Sequence, residues 1–236
     1  FNYHGRGTMD RLSNFETSLP EDYVLIKHID AKNNGKLIAI HTILSFVPLI
    51  IILPALCFIA YYCNKYSITD TWYADYGPVA LLVTCGVLIL YIVLHELVHG
   101  ITYKFFTGAK LTFGLTLTVA FCGVPHIYVR KKASVFALMM PFLIFSVIFI
   151  ALTICLWLIS PLYGILSGAV FSIHLGGCVG DLHWISMYIT KYRHCNTLMR
   201  DTGPEQWLYI PKSESEKYNI APIPFTHPQN AENFSS

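Results

Sequence analysis

Residue types that bind and activate a metal ion occur together in the segment His95-Glu96-Leu97-Val98-His99. On a helix, histidines at positions i and i+4 lie on one face. His95 and His99 can therefore bind a single Zn²⁺, and Glu96 between them can act as a general base. The surrounding run, residues 78–103, contains no other acidic residue and no Lys or Arg. A charge inside such an apolar run is costly and tends to be functional. The pattern predicts a zinc hydrolase with its site inside a membrane.

A catalytic zinc site needs a third protein ligand beside an open position for water. Asp181 is the only other acidic side chain in the long apolar blocks, and glycines flank it. Asp181 and the His95–His99 pair each lie about nine residues before the end of their block, which places both roughly 14 Å from the same membrane face. We therefore expect Asp181 to be the third ligand. His174, seven residues earlier on nearly the same helical face, and His183 are the alternatives.

The composition is typical of a membrane protein. The chain has 236 residues, of which 54% are hydrophobic and 13% charged, whereas a soluble domain is about a quarter charged. The net charge is only +2, without the strong excess of basic residues that nucleic-acid binding requires, so we expect no nucleic-acid partner. Seven cysteines without a C-x-x-C pair argue against a disulfide scaffold. The first apolar block is too long and too far from residue 1 for a cleavable signal peptide.

Four apolar blocks are long enough to cross a bilayer, which takes about 20 residues. They cover residues 37–63, 78–106, 133–160 and 162–190. Between the second and third, the Thr-, Val-, Gly- and Phe-rich residues 111–121 predict a β-hairpin or a re-entrant strand pair. The predicted fold class is an all-α integral membrane protein with about four transmembrane helices and this short hairpin.

Polar segments flank the predicted membrane-embedded metalloprotease domain, residues 37–190. The N-terminal segment, residues 1–36, contains a turn and a short extended piece at 19–26. The C-terminal tail, residues 191–236, contains several prolines, and we expect its distal part to be loosely ordered.

The distribution of Lys and Arg predicts the orientation of the spans. Along the chain, the polar segments carry five, one, five, none and five basic residues. Basic loops stay in the cytoplasm. The alternation therefore fits four spans with both termini cytoplasmic. The basic residues 130–132 are most simply interpreted as anchors at the lipid headgroups.

Several motifs along the chain resemble one family. They are Leu19-Pro20-Glu21-Asp22-Tyr23, His95-Glu96-Leu97-Val98-His99-Gly100, Gly108-Ala109-Lys110, Met140-Pro141-Phe142, Gly180-Asp181 and Asp201. Over about residues 19–212 the chain resembles the DUF3267 family of putative zincin peptidases. These are small bacterial membrane proteins related to intramembrane metalloproteases of the site-2-protease type.

The resemblance implies that His95, His99 and Asp181 are zinc ligands and that Glu96 is the catalytic acid and base. Site-2 proteases carry their third ligand in an Asn/Pro-Asp-Gly type of motif, whereas this chain has Val179-Gly180-Asp181-Leu182. A bacterial cell membrane is the implied location.

The sequence therefore predicts a membrane-embedded zinc metalloprotease. Its partners would be the lipid bilayer and a protein or peptide substrate associated with the membrane. The hairpin between the second and third spans would present the substrate as an extended strand. Two alternatives remain open: a zinc-binding scaffold or sensor without catalysis, and an ion transporter that uses Glu96 and Asp181 as relay groups. Transporters usually have more spans and internal repeats.

Overall fold

The structure is a computed structural model, and it describes residues 14–30, 34–63, 72–115 and 120–224. The tip of the predicted hairpin, most of the connection after the first span and the distal tail lie outside the described residues. The elements in chain order are β1 (Phe15–Glu16), β2 (Tyr23–Asp30), α1 (Gly35–Cys63), α2 (Trp72–Thr107), β3 (Thr112–Leu115), β4 (Ala120–Gly123), β5 (Tyr128–Arg130), α3 (Lys131–Ile159), α4 (Pro161–Gly177), α5 (Val179–Ile189), β6 (Leu198–Asp201), β7 (Glu205–Pro211) and α6 (Lys212–Lys217).

Three helices in the described residues are long and apolar enough to cross a membrane. They are Gly35–Tyr62, Pro78–Thr107 and Lys131–Ile159, and their ends agree with the predicted spans to within about two residues, the usual precision of helix boundaries. Their outward side chains, such as Leu82, Phe105 and Leu158, are apolar and exposed. Such contiguous apolar surface is characteristic of a lipid-facing helix. The second apolar block was predicted to begin at residue 78, whereas α2 begins at Trp72 and contains Pro78.

The fourth predicted span, residues 162–190, is not one continuous helix. It is broken at Cys178 into α4 and α5, which are bent by 45° relative to each other. Up to four candidate spans result if this bent pair counts as one of them. The glycines beside the break lower the local helix propensity. The break places Asp181 in the first turn of α5.

Glycines on α4 allow α1 to pack closely against it. A Cβ atom at Gly168 would overlap the side chain of Leu56, and one at Gly176 would overlap the backbone of Ser45. The Ser45 hydroxyl also donates to the Gly176 carbonyl at 2.7 Å. The prediction that small residues on this span permit a close helix approach is thus confirmed. At Gly180, next to Asp181, an added Cβ atom would have no neighbouring atom within 4 Å.

A five-stranded antiparallel sheet is the main feature that the all-α prediction missed. Its strand order is β1-β5-β6-β7-β2. β2 pairs with β7 over its whole length, with Val24 opposite Ile210 and a bulge between Leu25 and Lys27. The predicted extended piece after residue 19 is therefore a real strand. The tail, predicted as a polar segment, supplies two of the five strands.

The largest hydrophobic core lies between one face of this sheet and the adjacent ends of the helices. It includes Ile26, Ile29, Val129, Ala133, Ala137, Leu138, Trp184, Tyr188, Met199, Leu208 and Ile210. The predicted hairpin is confirmed: β3 and β4 pair, with Phe113 opposite Cys122. The hairpin contacts α2, so the sheet, the hairpin and the helices all meet beside the H-E-x-x-H turn.

Candidate metal centre

Helix α2 presents its two histidines to the protein interior. His95 and His99 are 8% and 7% exposed, and the spacing of four residues puts both on one face. Glu96 points to the side of the same turn and is half-buried. The local geometry that the motif predicted is therefore present.

Asp181 from α5 meets these two histidines. Its Oδ2 atom lies 3.5 Å from Nε2 of His95 and 3.3 Å from Nε2 of His99, and the two Nε2 atoms are 3.2 Å apart. Atoms that bind one zinc ion tetrahedrally at about 2.0–2.2 Å lie about 3.3–3.6 Å from one another. The three donor atoms are thus spaced as the ligands of a single zinc ion would be.

The hydrogen bond of His99 indicates why a cation fits between these atoms. Nδ1 of His99 lies 2.8 Å from the carbonyl oxygen of Ala137. A carbonyl only accepts, so Nδ1 donates its proton there, and Nε2 of the neutral ring then has a free lone pair. That lone pair faces the Nε2 atom of His95 and the carboxylate of Asp181. Lone pairs this close together repel one another unless a cation lies between them. Two imidazoles and one carboxylate are a ligand set that binds Zn²⁺.

The β3–β4 hairpin lies directly against the H-E-x-x-H turn of α2. The backbone N–H of Cys122 is within hydrogen-bonding reach of the Glu96 carboxyl group. A Cβ atom on Gly100 would lie 2.7 Å from Cζ of Phe113 and 3.0 Å from Sγ of Cys122. A side chain at this position would therefore require the Phe113 ring and the Cys122 thiol to shift. Burial raises the pKa of the Cys122 thiol to about 12, so it stays protonated and uncharged at neutral pH.

The other candidate residues lie elsewhere. His174 is fully buried and hydrogen-bonded to Tyr91 and Ser146. His183 pairs with His41, with 3.2 Å between their ring nitrogens. A second group within metal-binding distance, among the described residues, combines His95 with His174 and Cys178. It uses the opposite side of the His95 ring, where a tyrosine hydroxyl already lies.

Two buried side chains beside the centre were not predicted from the residues. Tyr91 lies four residues before His95, on the same helical face, and its hydroxyl contacts Nδ1 of His95. Tyr103 lies four residues after His99 and bonds to Asp201. The i±4 spacing around the motif could have indicated both tyrosines. Nothing local in the sequence could have paired Tyr103 with a residue 98 positions away.

A cleft of about 520 Å³ leads to Asp181. Its walls come from α1, α5, the end of β2 and the turn between β6 and β7. Its lining includes Ile38, His41, Phe46, Trp184 and Gln206. The cleft therefore borders Asp181, whereas His95, Glu96 and His99 do not line it.

Comparison with known families agrees with this geometry. Residues 88–196 match the family DUF3267, described as "Putative zincin peptidase". This part of the chain is similar to the DUF3267 family. The matched residues include His95, Glu96, His99 and Asp181, and the predicted family is confirmed. The relation of DUF3267 to site-2 proteases stays a prediction. No curated protein and no solved structure matches the chain.

Proposed function

We propose that the chain is a membrane-embedded zinc metallopeptidase whose ligands are His95, His99 and Asp181. The observation that carries the proposal is the spacing of 3.2–3.5 Å among the three donor atoms. The similarity of residues 88–196 to the zincin family supports a peptidase over the other hydrolases. The apolar helices support a membrane location.

The residues of the chain divide the chemistry between them. His95, His99 and Asp181 would hold a Zn²⁺ ion, which would supply a Lewis acid for the substrate carbonyl and lower the pKa of the attacking water. Glu96 takes the proton of that water and passes it to the leaving amine. The bent α4–α5 pair holds Asp181 against the two histidines, and the half-buried setting limits the access of bulk water.

The edge of β4 is the proposed docking place for the substrate. The backbone N–H of Cys122 points toward Glu96. The backbone N–H of Val124 donates to the carbonyl oxygen of Asp201 at 2.8 Å. Alternate residues of a strand point their backbone groups to the same side, so Ala120 faces that side too. A substrate strand added along Ala120–Cys122 would place its backbone beside Glu96.

We infer the orientation of the chain from its basic segments. The three basic-rich segments, residues 1–36, 104–132 and 191–236, are also those that supply strands to the five-stranded sheet. Their convergence on one sheet supports a common, cytoplasmic side. We expect a C-terminal fluorescent protein to fold and a C-terminal alkaline phosphatase to be inactive in cells. The reverse pattern would contradict this orientation.

Zinc content and cleavage, measured on the same detergent-purified protein, test the peptidase. We expect about one zinc per chain and cleavage of quenched-fluorescence peptides that have an apolar centre and polar ends. Glu96→Gln should keep the zinc and lose cleavage by a factor of at least about 100. A wild-type protein without zinc, or Glu96→Gln with full activity, would overturn the proposal. Zinc binding without any cleavage would favour the non-catalytic scaffold.

The hairpin is tested separately by Ala120→Pro, which removes one backbone N–H from the proposed docking edge. We expect it to retain zinc and lose cleavage. Ala120→Ser keeps the N–H and should cleave like the wild type. Equal activity of the proline variant would exclude strand addition at this edge.

A further inference from the structure

The hydroxyl group of Tyr91 lies between two histidine rings. It is 3.0 Å from Nδ1 of His95 and 2.8 Å from Nδ1 of His174. His95 and Tyr91 are one turn apart on α2, whereas His174 belongs to α4. Tyr91 and His174 are 6% and 0% exposed. The hydroxyl thus joins a proposed metal ligand to a second helix.

The contacts continue to a third helix. Nε2 of His174 lies 3.1 Å from the hydroxyl of Ser146 on α3. The rings of Phe145 and Phe149 pack edge-on against Tyr91, with centroid distances of 5.2 and 5.4 Å. In these apolar surroundings an unpaired polar group is costly, so each donor needs an acceptor.

The metal site determines which group donates in each hydrogen bond of the series His95–Tyr91–His174–Ser146. If Nε2 of His95 binds zinc, Nδ1 carries the proton and donates it to the Tyr91 oxygen. The single hydroxyl hydrogen of Tyr91 then goes to Nδ1 of His174. The proton of His174 therefore sits on Nε2 and is donated to Ser146. One tautomer of each ring satisfies all three contacts.

The Cys178 thiol is another group near this series of hydrogen bonds. Its Sγ atom lies 3.7 Å from Nδ1 of His174. This contact is longer than the one from Tyr91, and a thiol is a weak donor. It does not change the assigned direction.

We infer that Tyr91 and His174 are positioning residues of the metal centre, which hold His95 with Nε2 toward the ion. The inference rests on the proposed zinc site and not on peptidase activity. The two metal-binding histidines are held differently. His99 donates to a backbone carbonyl, which no substitution removes, whereas His95 depends on the side chain of Tyr91. Loss of such a partner typically weakens metal binding by about 10–100-fold.

The test is the zinc affinity of the detergent-purified protein, measured by competition with a chromophoric chelator. Tyr91→Phe keeps the ring and removes the hydroxyl, and we expect it to bind zinc about 10–100-fold more weakly. The Co²⁺ form should show an altered visible spectrum, because the His95 ring is free to turn. The matched control is Tyr188→Phe, which also removes one buried tyrosine hydroxyl, here one that contacts Met199. It should retain wild-type affinity and spectrum.

Substitutions of His174 test the contribution of α4. His174→Leu leaves the Tyr91 hydroxyl without its acceptor and should weaken zinc binding in the same direction as Tyr91→Phe, but less. His174→Gln offers an amide oxygen to Tyr91 and should recover part of the lost affinity. A purely structural role would instead lower the thermal midpoint of both variants and leave the affinity of the folded protein unchanged.

The possible outcomes separate this inference from the proposed function. If the wild type binds zinc and Tyr91→Phe binds it equally tightly, the inference is wrong and the zinc site stands. The same holds if Tyr188→Phe loses as much affinity as Tyr91→Phe. If the wild type binds no zinc, both fail. Absence of cleavage alone leaves the affinity test intact.

Discussion

The hydroxyl group of Tyr103 donates a hydrogen bond of 2.8 Å to Oδ2 of Asp201. Tyr103 lies one turn after His99 on α2, and Asp201 ends β6. Oδ1 of the same carboxylate accepts from the backbone N–H of Gly203, also at 2.8 Å. The two side chains are 1% and 3% exposed. A buried, fully bonded carboxylate thus ties the sheet to the helix that bears the proposed metal ligands.

The stability of the protein should depend on the protonation of Asp201. Burial raises the pKa of this carboxyl group from 3.8 to about 6. The protonated form therefore stabilises the folded state, and the unfolding free energy should fall as the pH rises from about 4 to about 6. The pKa difference corresponds to on the order of 3 kcal/mol. Asp201→Asn should lack this dependence and be at least as stable as the wild type above pH 6.

The pH dependence is measured from thermal midpoints in detergent between pH 4 and pH 8, as the difference between the wild type and Asp201→Asn. Asp22→Asn, in the exposed turn before β2, is the control and should follow the wild-type profile. A wild-type minus Asp201→Asn difference that stays constant over this pH range would contradict the assignment.

Asp181 should be required for tight zinc binding and His183 should not. Asp181→Ala removes one of three donors and is expected to weaken zinc binding at least about 100-fold, or to abolish it. His183→Ala removes a histidine two residues away that contacts His41 instead, and it should keep about one zinc per chain. Elemental analysis and chelator competition distinguish the two variants. The reverse result would make His183 the third ligand.

Gly100→Ala should displace the Phe113 ring and the Cys122 thiol of the hairpin. Its new Cβ atom would lie 2.7 Å from the ring of Phe113 and 3.0 Å from the thiol of Cys122. We expect a loss of about 1–3 kcal/mol in stability and reduced cleavage with zinc retained. Gly86→Ala, on the same helix with no neighbour within 4 Å, should be neutral or gain about 0.5–1 kcal/mol. Equal behaviour of the two variants would rule out a packing role for Gly100.

Lys131 should stabilise the turn after α5. Its ammonium group donates to the carbonyl oxygens of Tyr192, Arg193 and Cys195 at 2.7, 2.9 and 3.0 Å. Lys131→Met removes all three bonds and should cost roughly 2–3 kcal/mol, seen as a lower thermal midpoint. Lys132→Met, at the exposed neighbouring position, should change the midpoint little. If both variants lose the same stability, headgroup anchoring is the better explanation of this basic cluster.

The helices and the ligand candidates could be predicted from the sequence because their signals are local. About 20 consecutive apolar residues indicate a span wherever they occur. The spacing of His95 and His99 depends only on helix geometry. A lone acidic residue in an apolar block, Asp181, was conspicuous for the same reason. The hairpin could also be predicted, since its two strands are neighbours in the chain.

Only the tertiary structure decided the contacts between distant segments. The pairing of β2 with β7, the Tyr103–Asp201 bond and the chain from His95 through Tyr91 to His174 join residues that no local pattern relates. The bend at Cys178 is of the same kind, because several glycines permit a break but do not fix its position. Periodicity specifies which face of an element is apolar, whereas long-range packing selects the partner for that face. The sequence alone therefore determined which residues could bind zinc, and the fold decided which of them meet.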